Sequence, residues 1–300
     1  MDNILREQAI SVIIASSAAS GIVGVLQIFQ GGYESGWLDS AAFSGISVRI
    51  TSLFGNPNVF SAYLLLVIPF VIYRVIYAVS LKKRLLYIAL FVLLGVCMIY
   101  TWSRGAWLGL ALEIFIFFVF YKRGLIPYAL LSLPIFGAAT SIFAPTVWAR
   151  FVSIANPQDT SVSYRVSAWN GIMNMLSDNN FFGIGYGESA FLAVYPLYAY
   201  SGAVAVRHSH SLYLQILTEL GAVGLIIFAV SILAVLFRCF ENIKKSSEDK
   251  GVSAAVVMAV LGVLFMGLTD YVWYDRRIFL MFWLVVALMG RKESADDCKI

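Results

Sequence analysis

The sequence predicts an all-α integral membrane protein. It reads as a polytopic bundle of about eight transmembrane helices with a large outer loop that carries amphipathic surface helices. Three observations predict this class. Hydrophobic residues make up 60% of the 300 residues, against roughly 45–50% in a soluble domain. Charged residues are only 13%, about half the soluble norm, and the mean hydropathy is +0.83. The apolar residues also fall in continuous runs rather than in the alternating ten-residue segments of a membrane barrel. In hydrocarbon each backbone amide must be satisfied within its own segment, so the runs are helices.

A bilayer core needs about 20 apolar residues in a helix. The runs of that kind are 9–29, 57–80, 85–102, 105–121, 125–144, 211–237, 252–270 and 278–290. The last is short and can start earlier, through Tyr271–Tyr274. The first has small residues of the cleavage type at Ala18-Ala19-Ser20. Its start, where Asp2 and Glu7 offset Arg6, makes a poor signal sequence, so it is read as a retained span. The three cysteines, Cys97, Cys239 and Cys298, are odd in number and form no CxxC, which indicates neither a disulfide framework nor a zinc site. No internal repeat or low-complexity stretch interrupts the pattern.

The lysines orient the spans. Threading eight helices puts Lys82, Lys83, Lys122, Lys244, Lys245, Lys250, Lys292 and Lys299 on one side, which the positive-inside rule makes the cytoplasm. Both termini then lie inside. With its cations so distributed, the net charge of +4 points to the membrane and not to nucleic acid. The outer face carries the loops 30–56, 103–104, 145–210 and 271–277.

That outer face holds Arg49, Arg104, Arg150, Arg165, Arg207, Arg276 and Arg277, and no lysine. A guanidinium holds phosphate oxygens with a planar fork and suits the low-dielectric edge of a membrane, so the set suggests an anion site. The alternative for each arginine is pairing with lipid head groups or with Glu34, Asp39, Asp159, Asp178, Glu188 or Asp275. Arg104 lies in a very short turn, between Trp102 and Trp107, where a charge is costly unless it snorkels or is paired. Arg165 opens an amphipathic helix over 161–177, whose stripe is Val162, Val166, Trp169, Met173 and Leu176 and whose cap is Asp159, Thr160 or Ser161. Arg150 carries no such signal, and Arg150→Lys is expected to be mild.

Gly183-Ile184-Gly185-Tyr186-Gly187 resembles a phosphate-cradling loop, but no strand precedes it and no lysine follows, so it reads mainly as a turn. Both histidines of the chain stand in Arg207-His208-Ser209-His210, at the start of the sixth span. Three readings are open for them: metal ligands, a general base, or interfacial residues bonded to loop backbone. No outer carboxylate lies close in sequence and Arg207 repels cations, which counts against a metal. The helix N-terminus and Arg207 both favour a neutral ring that accepts a proton. Glu113 and Glu219 are carboxylates inside spans, which are functional suspects by default. Glu219, two turns below His210, can anchor an arginine or line the cavity. Glu113 is nearer mid-bilayer, where a carboxyl can keep its proton.

Together these residues resemble the O-antigen ligase and polymerase superfamily, over about Arg49 to Phe237. The markers are Phe54-Gly55-Asn56-Pro57-Asn58, Thr101-x-Ser103-Arg104-Gly105-Ala106, Arg165-x-x-x-Trp169 and Gly183-x-Gly185-x-Gly187. They continue with His208-Ser209-His210-Ser211-Leu212-Tyr213-Leu214-Gln215 and Glu219-Leu220-Gly221-x-x-Gly224-Leu225. Each is weak alone, and their order on one face is what is specific. Ser211 departs from the family, which usually has Asn there. The resemblance divides the chain into a first helix and outer loop (1–56), the ligase-related domain (57–237) and two C-terminal spans with a tail (238–300). It implies transfer of a glycan from a polyprenyl-diphosphate carrier to a hydroxyl of a glycan or lipid acceptor, at the outer face of the cytoplasmic membrane and among membrane lipids. It calls for no metal and no cofactor. Arg104 and Arg165 match the arginines that hold the diphosphate and His210 the assisting histidine, with Arg49, His208, Arg207 and Glu219 expected to bind substrate. The alternative is a transporter or flippase for a lipid-linked or anionic solute, which would show inverted repeats and broken helices in both halves.

The topology is testable directly. In a background without cysteine, single cysteines at Ser163 and Ser246 are expected to react with an impermeant thiol reagent from opposite sides of the membrane. Labelling of position 246 in intact cells would overturn the map.

Overall fold

The structure is a computed structural model that describes residues 3–31, 46, 48–156, 159–245 and 247–289. Asp2, Glu34, Asp39, Ser246, Lys292, Lys299 and Cys298 lie outside the described residues. The described chain has α-helices and short 3-10 turns and no strand. Six of the helices are long and apolar enough to cross a membrane, as expected of a multi-pass membrane protein. These are α1 (Asn3–Phe29), α2 (Pro57–Tyr77), α3 (Leu81–Tyr100), α4 (Arg104–Tyr121), α5 (Ile126–Phe143, with the 3-10 turn before it) and α9 (Leu212–Lys245). The other two expected spans appear as α10 (Ser247–Met266), whose apolar part is Lys250–Met266, and the short α11 (Arg276–Ala287). Between them come α6 (Pro145–Val152), α7 (Thr160–Asp178) and α8 (Glu188–Val194).

α2 is the axis of the bundle. It is apolar on every face, and its residues from Val59 to Val71 are buried against α1, α3, α4, α10 and α11. It starts where the sequence supplies both an N-cap and a first-turn proline. Asn56 Oδ1 accepts from the Asn58 and Val59 amides, and Pro57 has no amide to leave unpaired. α10 packs into α4 by small residues, since a Cβ on Gly109 would lie 2.8 Å from the Gly262 carbonyl oxygen. Glu113 lies against Gly262, fully buried, with neither oxygen hydrogen-bonded. Among its described side chains α5 buries none, and it stands at the edge of the bundle, where Trp148 of α6 folds back onto its Gly137.

The helix ends sort by chemistry. Lys82, Lys83, Lys122, Lys244 and Lys250 all stand at one end of the bundle, and the loops that hold Arg49, Arg104, Arg150 and Arg165 at the other. At this loop end α7, α8 and the turns after them form a second core, around Ala168, Ile172, Met175, Phe191 and Tyr195. The expected stripe of α7 is therefore corrected. Of that stripe only Leu176 is buried in this core; Val162, Val166 and Trp169 face a pocket, Met173 is exposed, and the helix packs through Ala168, Gly171, Ile172 and Met175 beside Leu176. Hydropathy underweights such a face because it is made of small residues. At Gly171 a Cβ would lie only 2.7 Å from the Tyr198 carbonyl oxygen.

The second core is spliced to the bundle through backbone. α9 breaks at Gly221, which adopts φ 68° and ψ −173°. The strand of chain after α7 docks into the break. The Ala222 amide donates to the Phe181 carbonyl (2.9 Å) and the Ile184 amide to the Thr218 carbonyl (2.8 Å). A Cβ on Gly221 would lie 2.5 Å from the Phe182 carbonyl, and one on Gly183 would lie 2.7 Å from the Gly221 nitrogen. The glycine run is thus a turn, as read, and its first glycine is needed for this contact.

Gly221→Ala is expected to destabilise the protein by more than the roughly 1–2 kcal/mol of a left-handed alanine, because backbone must also move. Gly95→Ala in α3, which meets open space, is expected to be neutral or stabilising by up to about 1 kcal/mol. Thermal unfolding in detergent compares the two.

Candidate functional site

The loop end encloses a cavity of about 680 Å³. Its walls come from the start of α2, the turn into α4, the end of α6, the first turns of α7, the histidine loop and the turn after α10.

One wall is an ion-pair cluster. Asp159 is the N-cap of α7, where its Oδ1 accepts from the Ser161 amide (3.0 Å). The same carboxylate takes both arms of Arg104, Oδ2 from Nη1 at 2.8 Å and Oδ1 from Nη2 at 3.0 Å. Arg104 Nη1 also donates to the hydroxyl and carbonyl of Ser153, and Arg150 Nη1 stands 3.7 Å from Asp159. Arg104, Arg150 and Asp159 are all buried, and charges so placed need such pairing. Burial alone would raise the Asp159 carboxyl, but the hydrogen bonds and charges of Arg104 and Arg150 outweigh it and hold it below the usual range.

Two more guanidiniums face the cavity. Arg49 donates from Nε to the Thr101 carbonyl (2.8 Å) and from Nη2 to Asn58 (3.2 Å). Burial, then the charge of Arg150, brings its pKa down to about 9. Arg150 is brought down to about 10 by burial and the charge of Arg104. Arg165, half-buried on α7, makes no hydrogen bond or ion pair among the described residues. It too is lowered by burial, with Asp270 opposing and Arg104 adding. Four guanidiniums thus crowd the cavity, with Asp270 in its lining and Asp159 behind Arg104 and Arg150.

The histidines line the same cavity, beside the first turns of α7. His208 stacks on Tyr274 (centroids 5.1 Å apart) and lies 4.3 Å from the His210 ring, whose edge meets Tyr164. The His210 amide donates to His208 Nδ1 (3.3 Å), so that nitrogen carries no proton. Burial lowers both rings. Asp270 opposes this, and Arg165 reinforces it for both. His210, which also feels His208, falls to about 4. Both rings are thus pushed towards the neutral form, and the main cause is burial and not the helix terminus that the sequence suggested. Among the described residues no three His, Cys, Asp or Glu side chains stand close enough to hold a metal ion.

The structure thus brings together Arg49, Arg104, Arg165, His208 and His210. It does not bring Arg207 or Glu219 to the cavity. Arg207 points to solvent and pairs with exposed Glu188 at 2.6 Å. Glu219 is buried behind the histidine loop, where it accepts from Gln215 (2.8 Å). Arg276 and Arg277 also stand outside it, and Arg277 pairs with Asp275 and holds the Leu53 and Phe54 carbonyls. The sequence reading did not single out Asp270, Tyr164 or Tyr274, and it named Arg150 only as one of the outer arginines. Arg150 is a buried member of the cluster and not a bystander. Asp270 closes an apolar run, and the signal that flagged Glu113 and Glu219 could have flagged it.

Residues 88–229 match the family model for O-antigen ligase. The match spans Arg104, Arg150, Asp159, Arg165 and both histidines, and leaves Arg49, Asp270 and Tyr274 outside. No curated protein matches the chain. The family match supports the resemblance read from the motifs, and with it an O-antigen-ligase type of membrane glycan transfer.

Asp159→Ala would leave Arg104 and Arg150 buried without their carboxylate, and is expected to cost about 3–5 kcal/mol. Asp159→Asn keeps a cap acceptor and is expected to cost less. Because the folded pKa of Asp159 is depressed, its contribution is present above the unfolded carboxyl pKa and is lost as pH falls through the folded one. Thermal unfolding of the wild type and both variants as a function of pH measures this.

Proposed function

We propose that the chain is a glycan transferase of the outer face of the cytoplasmic membrane, acting on a polyprenyl-diphosphate donor and an acceptor hydroxyl. The observation that carries this reading is the convergence of four arginines and a histidine pair on one cavity at one end of a membrane bundle. A diphosphate diester carries two negative charges, which an arginine-lined cavity suits. Arg165, which has no acceptor among the described residues, supplies a fork for the diphosphate. Arg104 is held by Asp159 and keeps its Nε–H for the ligand, while Arg49 and Arg150 add charge. With that charge neutralised the diphosphate is a good leaving group.

In the reaction the acceptor oxygen bonds to the anomeric carbon while the bond from that carbon to the diphosphate oxygen breaks. The electron pair leaves with the diphosphate, and the acceptor proton passes to His210. The bound dianion raises the His210 pKa from its value in the empty cavity towards neutrality, where a base works best. His208 holds the loop and the acceptor side of the cavity.

Purified protein with a lipid-diphosphate glycan and its acceptor tests this reading. His210→Ala is expected to lower turnover by roughly 10²–10⁴, and His208→Ala by less. Arg165→Lys, a point charge in place of a fork, is expected to lose most activity in a protein that still folds. EDTA is expected to leave transfer unchanged. The neutral ring is the active form, so kcat/KM should hold as pH falls from 7 and drop only near 4, while kcat should drop at a higher pH. Undiminished transfer by Arg165→Lys, or an absolute need for a divalent ion, would overturn the assignment.

A further inference from the structure

His210 adopts φ 51°, a left-handed conformation that a non-glycine residue holds only when its surroundings impose it. The peptide groups of Ser209 show what imposes it here. Ser209 is fully buried, and side chains from two different helices hold both of its backbone groups. Its N–H donates to Gln215 Oε1 of α9 at 2.7 Å, and its carbonyl accepts from Trp169 Nε1 of α7 at 2.8 Å. Its own hydroxyl closes the turn by donating to the Ser211 carbonyl (2.7 Å).

Gln215 is itself oriented. Its Nε2 donates to Glu219 Oε1 at 2.8 Å, one turn further along α9. A carboxylate only accepts, so it draws the NH₂ of the amide to itself and leaves the amide oxygen facing the Ser209 N–H. Glu219 in turn stands two residues before the break at Gly221, where the chain after α7 is spliced in.

We propose that Gln215 is a positioning residue for His210: with Trp169 it clamps the Ser209 peptide from two sides, and Glu219 sets the direction of its amide. Glu219 thereby acts from behind the histidine loop, on protein and not on substrate. The role assigned to His210 is that of the transfer reading above, while the clamp itself is a property of the fold. The groups that face the His210 ring are His208, Tyr164, Asp270 and Arg165, so any shift of the loop changes its electrostatic surroundings as well as its reach. Misplacement of a reacting group by about 1 Å costs on the order of 10² in rate.

The chain has only two histidines, which makes the clamp visible without an activity assay. Tag-free protein labelled with ¹⁵N-histidine gives imidazole signals from His208 and His210 alone. In Gln215→Leu the His210 signal is expected to move and its titration to rise from about 4 towards the ordinary imidazole range. Turnover should fall by about 10²-fold with the KM for the lipid-diphosphate donor little changed. Gln215→Glu faces one carboxylate with another and should behave like Gln215→Leu. The double exchange Gln215→Glu with Glu219→Gln rebuilds the chain, with an acceptor for Ser209 and an amide donating back to it, and should restore both the spectrum and kcat. If Gln215→Leu does not fold, Trp169→Phe removes the other jaw and is read in the same way. Wild-type His210 signals in a folded Gln215→Leu or Trp169→Phe, or a double exchange no better than Gln215→Glu alone, would overturn the clamp. If wild-type protein transfers no glycan while these signals respond as described, the clamp stands and the transfer reading falls.

Discussion

The Arg104–Asp159 pair is the interaction on which the loop end of this protein depends. Arg104 is the first residue of a membrane helix, and Asp159 is the cap of a helix in the long loop. A lone guanidinium at that depth would be costly, as would a lone carboxylate. Joined by two hydrogen bonds, they fix the loop helix to the bundle and set its first turn, with Arg165, against the cavity. The same carboxylate steadies Arg150.

Two further ties complete the loop end. The glycine pair Gly183 and Gly221 lets a turn enter the break in α9 by backbone contact, and the Ser209 peptide is gripped by the side chains of Trp169 on α7 and Gln215 on α9. With both ties the histidine loop and the arginines are held in fixed relation, as a reaction between a bound diphosphate and an acceptor would require.

Much of this was legible in the sequence, for reasons that differ by residue. The spans declare themselves because hydrocarbon forbids an unsatisfied backbone, so length and continuity decide them. Arg104, Arg165 and the histidines stood out because cations and imidazoles next to apolar runs are rare. Arg207 was misleading because adjacency to His208 in sequence is not adjacency in space, and its side chain turns outward to Glu188. Glu219 was flagged for its burial, and its direction towards Gln215 could not be read from spacing alone. Arg150 gave no local pattern and Asp270 showed only as a carboxylate closing an apolar run; the tertiary fold brings both to the cavity. The packing face of α7 was missed because it is built from Ala168 and Gly171, whose value is close approach and not hydropathy.

The central claim is that this cavity is matched to a diphosphate on a lipid. Its most direct test is equilibrium binding of a polyprenyl diphosphate and the corresponding polyprenyl monophosphate to the purified wild type and to Arg165→Lys. The account predicts that the wild type prefers the diphosphate by at least about tenfold, roughly 1.4 kcal/mol, and that Arg165→Lys loses most of that preference. Equal binding of the two lipids by the wild type, or a preference unchanged in Arg165→Lys, would contradict it.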